Sequence, residues 1–306
     1  VESNIFNDSI VLLDKPVGMT SFDTISKFRR LVNIRKVGHS GTLDKFASGL
    51  LILGTGKATK LTRYFLESDK KYEALVLLGT ETDTCDISGE VFSVKPVESI
   101  TEEEIKGALN SFLSETSQMP PKYSALKVGG KRASDMARRG EEVSLKERTI
   151  KIYEIDSLFI DMDEGTVKFT ISCSKGTYIR SIARDLGDKL GCGACLKKLR
   201  RLSSGKFSVQ SAVTLDEVED SLKKDSEKKF ILKPEEALVH FNRMYLNEPA
   251  SAKVLNGAYF TRDQVDQIER RSGDPFLLFD NRHNLLAIVE IDIEKWKINF
   301  HTVFNN

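Results

Sequence analysis

An α+β fold in two parts is predicted by three features of this 306-residue chain. Strand-like runs of alternating polarity are interleaved with capped, amphipathic helices. The length exceeds the ~250 residues at which single cores stop growing, which favours two domains. After Pro234 the helical patterns give way to short strand-like runs, as expected of a small β-rich unit of ~70 residues.

The elements follow in order. Residues 10–13 open the chain as a strand, followed by the turn Lys15-Pro16-Val17-Gly18. Ser21 is expected to cap a helix with Ile25, Phe28 and Leu31 on one side. A glycine-bearing loop, residues 38–44, leads into the apolar stretch 50–53. Residues 72–78 read as a mostly buried strand. Residues 101–113 start with a capping box, Thr101 with Glu104, and place Ile105, Leu109 and Phe112 at helical spacing. Residues 118–149 turn polar, basic and glycine-containing, as an excursion from a core. Val167, Phe169, Ile171 and Cys173 alternate strictly with Lys168, Thr170 and Ser172, the pattern of a half-buried strand. A helix carrying Ile179, Ile182, Ala183, Leu186 and Leu190 comes next. The charged residues 223–229 form the best linker, which divides the chain into residues 1–232 and 233–306. Beyond it, Asn256-Gly257 marks a turn, and strand-like runs lie at 276–279, 285–291 and 297–300.

Composition bounds the function. With 40% hydrophobic and 30% charged residues the chain is of ordinary globular type. No apolar run reaches the ~18 residues of a membrane-spanning helix. Residues 1–7 lack the basic region and apolar core of a signal peptide, so none is expected. The first residue is Val1, so the natural chain is expected to begin a few residues upstream. Four cysteines, Cys85, Cys173, Cys192 and Cys195, are too sparse for a disulfide scaffold and favour a reducing, cytoplasmic location. Cys192 and Cys195 have the spacing of a zinc knuckle or redox pair. No second pair completes a tetrahedral site, so no metal is expected.

The net charge is only +1, but its distribution is uneven. Basic residues cluster at Lys27, Arg29, Arg30, Arg35 and Lys36, again at Lys122, Lys127, Lys131, Arg132, Arg138 and Arg139, and again at Lys197, Lys198, Arg200, Arg201 and Lys206. Such surfaces suit a polyanion. Solvated helix faces explain the charge equally well.

Two segments could carry chemistry. In Gly38-His39-Ser40-Gly41-Thr42-Leu43-Asp44 the glycines permit a tight backbone and close ligand approach. Asp44 could serve as nucleophile or base, although an Asp after a Gly-Thr turn is more commonly a helix cap or Asx-turn. In Lys175-Gly176-Thr177-Tyr178-Ile179-Arg180 the arginine stands on a helical first turn, where the dipole prefers anions. A facing carboxylate would account for it, and so would a surface position. Residues 54–59 mimic a phosphate loop but lack its first glycine and its hydroxyl after Lys57.

Together these pieces resemble the TruB family of tRNA pseudouridine synthases, over most of the chain and in the family's order. Lys15-Pro16-Val17-Gly18-Met19-Thr20-Ser21 resembles its opening motif, and residues 38–49 its catalytic segment. Lys71-Tyr72 with residues 78–86 resembles its central strand motif, and residues 118–125 and 137–140 the two ends of its RNA-gripping insertion. Residues 176–180 are similar to its arginine motif, and residues 199–207 to the segment closing its catalytic domain. Three positions depart from the pattern: Lys45 stands where Pro is usual, Ala133-Ser134 where an aromatic is often found, and Cys195 where His is common.

The resemblance implies a pseudouridine synthase fold: a central, mostly antiparallel mixed sheet with an insertion at about 118–149, plus a PUA-like RNA-binding domain at 233–306. It implies isomerisation of uridine 55 in the TΨC loop, on a base flipped from the tRNA T-arm. Asp44 would be the essential carboxylate, held ionised by Arg180, with Tyr72 stacking the uracil and assisting loss of the C5 proton. His39 would fill space left by flipped nucleotides. Tyr178 and Leu199 would wall the pocket, and Lys15 would support it. Lys127, Lys131, Arg132 and Arg138 would grip RNA. No cofactor, membrane or obligate protein partner is implied, and the chain would act as a monomer. Two rival readings share the catalytic segment or the fold: an H/ACA guide-dependent synthase and a non-catalytic RNA-binding or RNA-folding protein.

Overall fold

A computed structural model describes residues 5–223 and 229–304. The expected linker at 223–229 lies almost wholly outside the described residues, as does much of the segment read for a signal peptide. The chain runs β1 (Ile10–Lys15), α1 (Ser21–Val32), β2 (Val37–His39), β3 (Ser48–Thr55), α2 (Thr62–Leu66), β4 (Lys70–Leu78), β5 (Thr80–Thr82), β6 (Val91–Val94), α3 (Glu102–Asn110) and β7 (Ser114–Gln118). The insertion holds β8 (Lys127–Val128), β9 (Lys131–Arg132) and α4 (Ala133–Arg138). Then come β10 (Arg148–Asp161), β11 (Thr166–Cys173), α5 (Ile179–Leu190), β12 (Ala194–Ser204), β13 (Phe207–Ser208), α6 (Leu215–Lys223), β14 (Ile231–Leu232) and α7 (Pro234–Ala237). The chain closes with β15 (Phe241–Leu246), α8 (Glu248–Leu255), β16 (Val265–Glu269), β17 (Gly273–Phe279), β18 (Leu285–Asp292) and β19 (Lys297–Val303). None of the described helices is long and apolar enough to cross a membrane.

The large sheet is ordered β14-β1-β3-β12-β4-β11-β10-β7, with β13 beside β12 and β2 beside β3. Its pairings are antiparallel except β12 with β3, so the expected mixed, mostly antiparallel sheet is present. The second sheet, β16-β15-β17-β18-β19, is confined to the C-terminal part.

Local chemistry explains most elements. Thr101 and Glu104 form the expected capping box on α3. Val167, Phe169, Ile171 and Cys173 are buried in β11, while Lys168 is exposed. The insertion leaves the sheet at Gln118 and returns at Arg148, and these two residues are paired across β7 and β10. The cap of α1 differs from expectation. Thr20 is the N-cap, in a capping box with Asp23. Ser21 lies one residue inside, and its hydroxyl is used elsewhere, as described below.

Strands β1 and β3 are buried on both faces, which is why residues 50–53 read as an unbroken apolar run. Val11, Leu13, Leu51 and Leu53 pack with Ile25 and Phe28 of α1 and Val218 of α6. Ile10, Leu12, Leu50 and Ile52 pack on the other side with Leu238, Phe241, Leu277 and Ile288. The C-terminal sheet therefore shares a core with the large one. A further core lies between α3, α5 and strands β4, β10 and β11.

The parallel pairing within the large sheet, β3 with β12, depends on a glycine. Gly49 has φ +106°, and a Cβ there would stand 2.3 Å from the Arg201 carbonyl oxygen. Gly49→Ala is expected to destabilise the protein by about 2–3 kcal/mol, measured by urea denaturation. An unchanged midpoint would mean that β3 and β12 part without cost.

Candidate active site

Asp44 is positioned by the start of α1. The Ser21 hydroxyl accepts from the Leu43 amide at 2.9 Å and donates to the Leu43 carbonyl at 3.2 Å. One residue past Asp44, the Lys45 carbonyl accepts from the Gly18 amide at 2.8 Å. Backbone anchors thus flank Asp44 on both sides, so the loop geometry does not rely on a proline at position 45. The Lys45 side chain is exposed, and its charge helps hold the Asp23 carboxyl low, after two hydrogen bonds from Thr20. The turn bearing Gly18 is itself held by Lys15. That fully buried ammonium donates to the carbonyls of Pro16 at 2.8 Å and Met19 at 2.6 Å. Burial pushes Lys15 down to about 8, against the nearby Asp44 charge.

Arg180 is positioned by the other half of the sheet. Helix α5 has no side-chain cap at Tyr178. Instead the Gln118 amide clamps the Tyr178 backbone, donating to its carbonyl at 3.1 Å and accepting from its N–H at 2.9 Å. Arg180 then reaches inward from the first turn. Its Nε lies 3.0 Å from Asp44 Oδ2, and Nη2 lies 3.4 Å from Oδ1. Nη1 donates to the Thr84 carbonyl at 3.1 Å and lies 3.5 Å from Asp86 Oδ2. Nη2 also donates to the Tyr123 carbonyl at 2.9 Å.

One guanidinium therefore bridges two carboxylates of unequal exposure. The Arg180 and Asp86 side chains are 6% and 4% accessible, whereas Asp44 is 40% accessible. Asp86 is further occupied by the amide and hydroxyl of Ser88. Asp44 is thus the carboxylate free to meet a ligand.

The electrostatics of Asp44 have opposing parts. Arg180 and Lys15 do draw the Asp44 carboxyl down, but burial, with Asp86 adding to it, pushes it up by more. Its net displacement from the ordinary carboxylate value is upward. A carboxylate raised toward neutral pH is a stronger base once ionised.

The site opens into a cavity of about 340 Å³, within the range of small-ligand pockets. Asp44, Tyr72, Tyr178, Arg180 and Leu199 all line it, with Lys70, Tyr123 and Arg201. Register explains the grouping: across β4 and β12, Tyr72 pairs with Arg201 and Ala74 with Leu199. Burial raises the Tyr72 phenol, opposed by Arg201, and burial raises the Tyr178 phenol too. Both rings are therefore neutral at pH 7.

Other expected residues lie apart. His39, on β2, is outside the cavity wall, half-buried and kept neutral by burial; its Nδ1 lacks a hydrogen-bond partner. Lys127, Lys131, Arg132 and Arg138 are exposed on the insertion. Lys131 lies 3.9 Å from Glu141 and Arg138 lies 3.6 Å from Asp135, contacts worth about 1 kcal/mol or less. A larger cavity of about 920 Å³ runs between the insertion and residues 81–92, but Asp44, Tyr72 and Arg180 are absent from its walls. Among the described residues no group of three or more His, Cys, Asp or Glu could hold a metal ion.

Four contributors escaped the sequence reading. Arg201 stood in a basic cluster and in the segment 199–207 without an assigned part, yet it is buried, donating to the carbonyls of Leu50 at 2.6 Å and Gly41 at 3.2 Å. Asp86 and Gln118 stood in recognised segments without an assigned part, and so did Tyr123. A buried partner for Arg180 cannot be seen before the fold brings residue 86 to residue 180.

Residues 29–179 match the model for the TruB family pseudouridylate synthase N-terminal domain, and residues 180–240 match that of the tRNA pseudouridylate synthase B C-terminal domain. The chain is 42% identical to the tRNA pseudouridine synthase B of Clostridioides difficile, covering 92% of this chain and 93% of that protein. It is 44% identical to the protein of the same name from an Azoarcus species, covering 85% of each. Among solved structures, a chain of the archaeal box H/ACA sRNP Nop10-Cbf5 complex superposes with a TM-score of 0.70 at 26% identity, covering 98% of this chain and 87% of that one.

The carboxyl electrostatics can be read by ¹³C NMR titration. Asp44 is expected to titrate above the ordinary value of ~3.9. Arg180→Gln removes a cation that favours the charged form, so the midpoint rises further. Asp86→Asn removes a repelling carboxylate, so it falls. Shifts of the opposite sign would refute the shared-guanidinium account.

Proposed function

Because the chain belongs to the TruB family of pseudouridylate synthases, we propose that it isomerises uridine 55 in the T-arm of tRNA to pseudouridine. The observation that carries this reading is the half-accessible Asp44 carboxylate at the wall of a nucleoside-sized cavity, bidentate to a buried Arg180.

The reaction breaks the bond from ribose C1′ to uracil N1 and joins C1′ to C5. N1 gains a proton and C5 loses one, so no redox partner is required. A stacked uridine cannot reach Asp44, so the base is flipped into the cavity. Asp44 then adds to the nucleoside or removes a ribose proton, and either act needs the ionised form. Arg180 holds the carboxylate in place and favours that form. Tyr72 supplies the face against which the uracil stacks. Burial raises its phenol, which is neutral and suits hydrogen bonding; Arg201 beside it opposes that rise and favours the phenolate, the form that would take the C5 proton and return to the phenol. Leu199 and Tyr178 wall the cavity, and Lys15 supports the turn behind it.

The basic insertion and residues 233–306, as a PUA-like unit following a catalytic unit of residues 1–232, would grip the tRNA through backbone and shape. His39, which does not line the cavity, would stack where flipped nucleotides depart. The chain is read as a cytoplasmic monomer. Similarity to a chain from an H/ACA complex raises a guide-dependent reading; bare tRNA modified by the purified chain would set it aside.

Asp44→Asn is expected to abolish pseudouridine formation while tRNA binding persists, measured by mapping pseudouridine and by filter binding. Full activity would overturn the mechanism, and a variant still performing the cellular task would favour the RNA-folding reading. Arg180→Ala is expected to lose about 100-fold in single-turnover rate, ~2.7 kcal/mol of barrier, with a smaller loss of affinity. An unchanged rate would remove Arg180 from the support of Asp44.

A further inference from the structure

A second cavity, of about 610 Å³, adjoins the site just described. Lys70 belongs to the walls of both. This buried residue donates from its ammonium to the carbonyls of Leu66, at 2.6 Å, and Ser68, so it forms a fixed partition between the two spaces. The second cavity lies at a seam: Tyr64 and Phe65 come from α2, Lys206 and Phe207 from the β12–β13 turn, and Val239 and His240 from the segment leading into the C-terminal sheet. Seams between packed units are common places for ligands.

Its chemistry is cationic and aromatic. Lys71, Lys206 and His240 join Lys70 on the wall, whose one carboxylate, Asp69, accepts from the Tyr153 hydroxyl at 3.1 Å; Lys71 is paired with Glu154 at 3.2 Å, and burial, with Lys206 adding to it, lowers His240 so that its imidazole is neutral at pH 7. Lys206 is exposed, lies 5.2 Å from the Phe207 ring centroid and donates to the Glu236 carbonyl at 2.8 Å. His240 is exposed and packs edge-on against Phe241. Tyr64 is held in one orientation by Arg63, which donates to its hydroxyl at 2.8 Å, and by His301 on the other side. The Lys206 ammonium and the His240 imidazole beside aromatic and apolar walls match the phosphate and base of a nucleotide.

We propose that this cavity is a subsite for a nucleotide flanking the uridine that is modified, with its phosphate between Lys206 and His240 and its base or ribose against Tyr64 and Val239. The RNA strand leaving the catalytic cavity crosses Lys70 to enter it. This rests on the tRNA-modifying reading above, and the test separates the two.

The experiment uses the full chain with unmodified tRNA, comparing wild type with Lys206→Gln, His240→Ala and the double variant. Lys206→Arg serves as the charge-conserving control. Binding is measured over a salt series, and single-turnover rate at saturating tRNA. The double variant is expected to bind about tenfold more weakly. Its log–log salt dependence should flatten by roughly 0.7, the value for one single-strand phosphate contact. Its saturated rate should stay within about twofold of wild type, and Lys206→Arg should retain affinity. Unchanged affinity and salt slope in His240→Ala and the double variant, with wild type active, would overturn the subsite alone. A lost saturated rate with unchanged affinity would overturn it too, since the cavity would then only brace Lys70. A wild-type chain that binds tRNA without converting it would instead overturn the functional reading.

Discussion

The buried guanidinium of Arg180 is the constraint on which the site depends. A cation this enclosed persists only if its donors and its charge are met. Two backbone carbonyls and two carboxylates meet them, drawn from three separate stretches of chain at residues 44, 84–86 and 123. Removing any one partner leaves the rest poorly matched. The first turn of α5, the turn before residue 88, the root of the insertion and the catalytic loop are therefore tied to a single point. The unequal exposure of Asp44 and Asp86 follows from the same arrangement. One carboxylate is spent inside the protein on Arg180 and Ser88, which leaves the other turned toward the cavity.

The remaining parts of the site are fixed by register. Tyr72 and Leu199 lie on strands whose pairing allows no slip without turning the buried side chains of β4 outward. The parallel contact of β3 with β12 sets Arg201 beside Gly41, so the loop carrying Asp44 is braced from below as well as from α1. None of these supports is a flexible loop contact; each is a strand, a helix start or a backbone hydrogen bond.

Much of this could be read from the residues. The capping box at Thr101, the alternation of 167–173 and the excursion at 118–149 have local causes, and the structure contains each. Asp44 and Arg180 were legible as a pair through family order, because neither alone differs from a turn residue or a surface arginine. What was not legible depended on distance. Ser21 reads as a cap because its local pattern is that of a cap; only the approach of Leu43 diverts its hydroxyl. The net shift of Asp44 was out of reach for a similar reason. A nearby arginine can be inferred from sequence, but the burial and the second carboxylate that outweigh it cannot.

The double-sided burial of β1 and β3 has a mechanical consequence. One face of these strands is clamped by α1 and α6, and the other by side chains of the C-terminal sheet. Packed interiors are stiff and scarcely compressible. A load applied to the C-terminal sheet by a bound macromolecule is thus delivered to β3, the strand that begins four residues after Asp44. Through that shared packing, grip at one end would set position at the other.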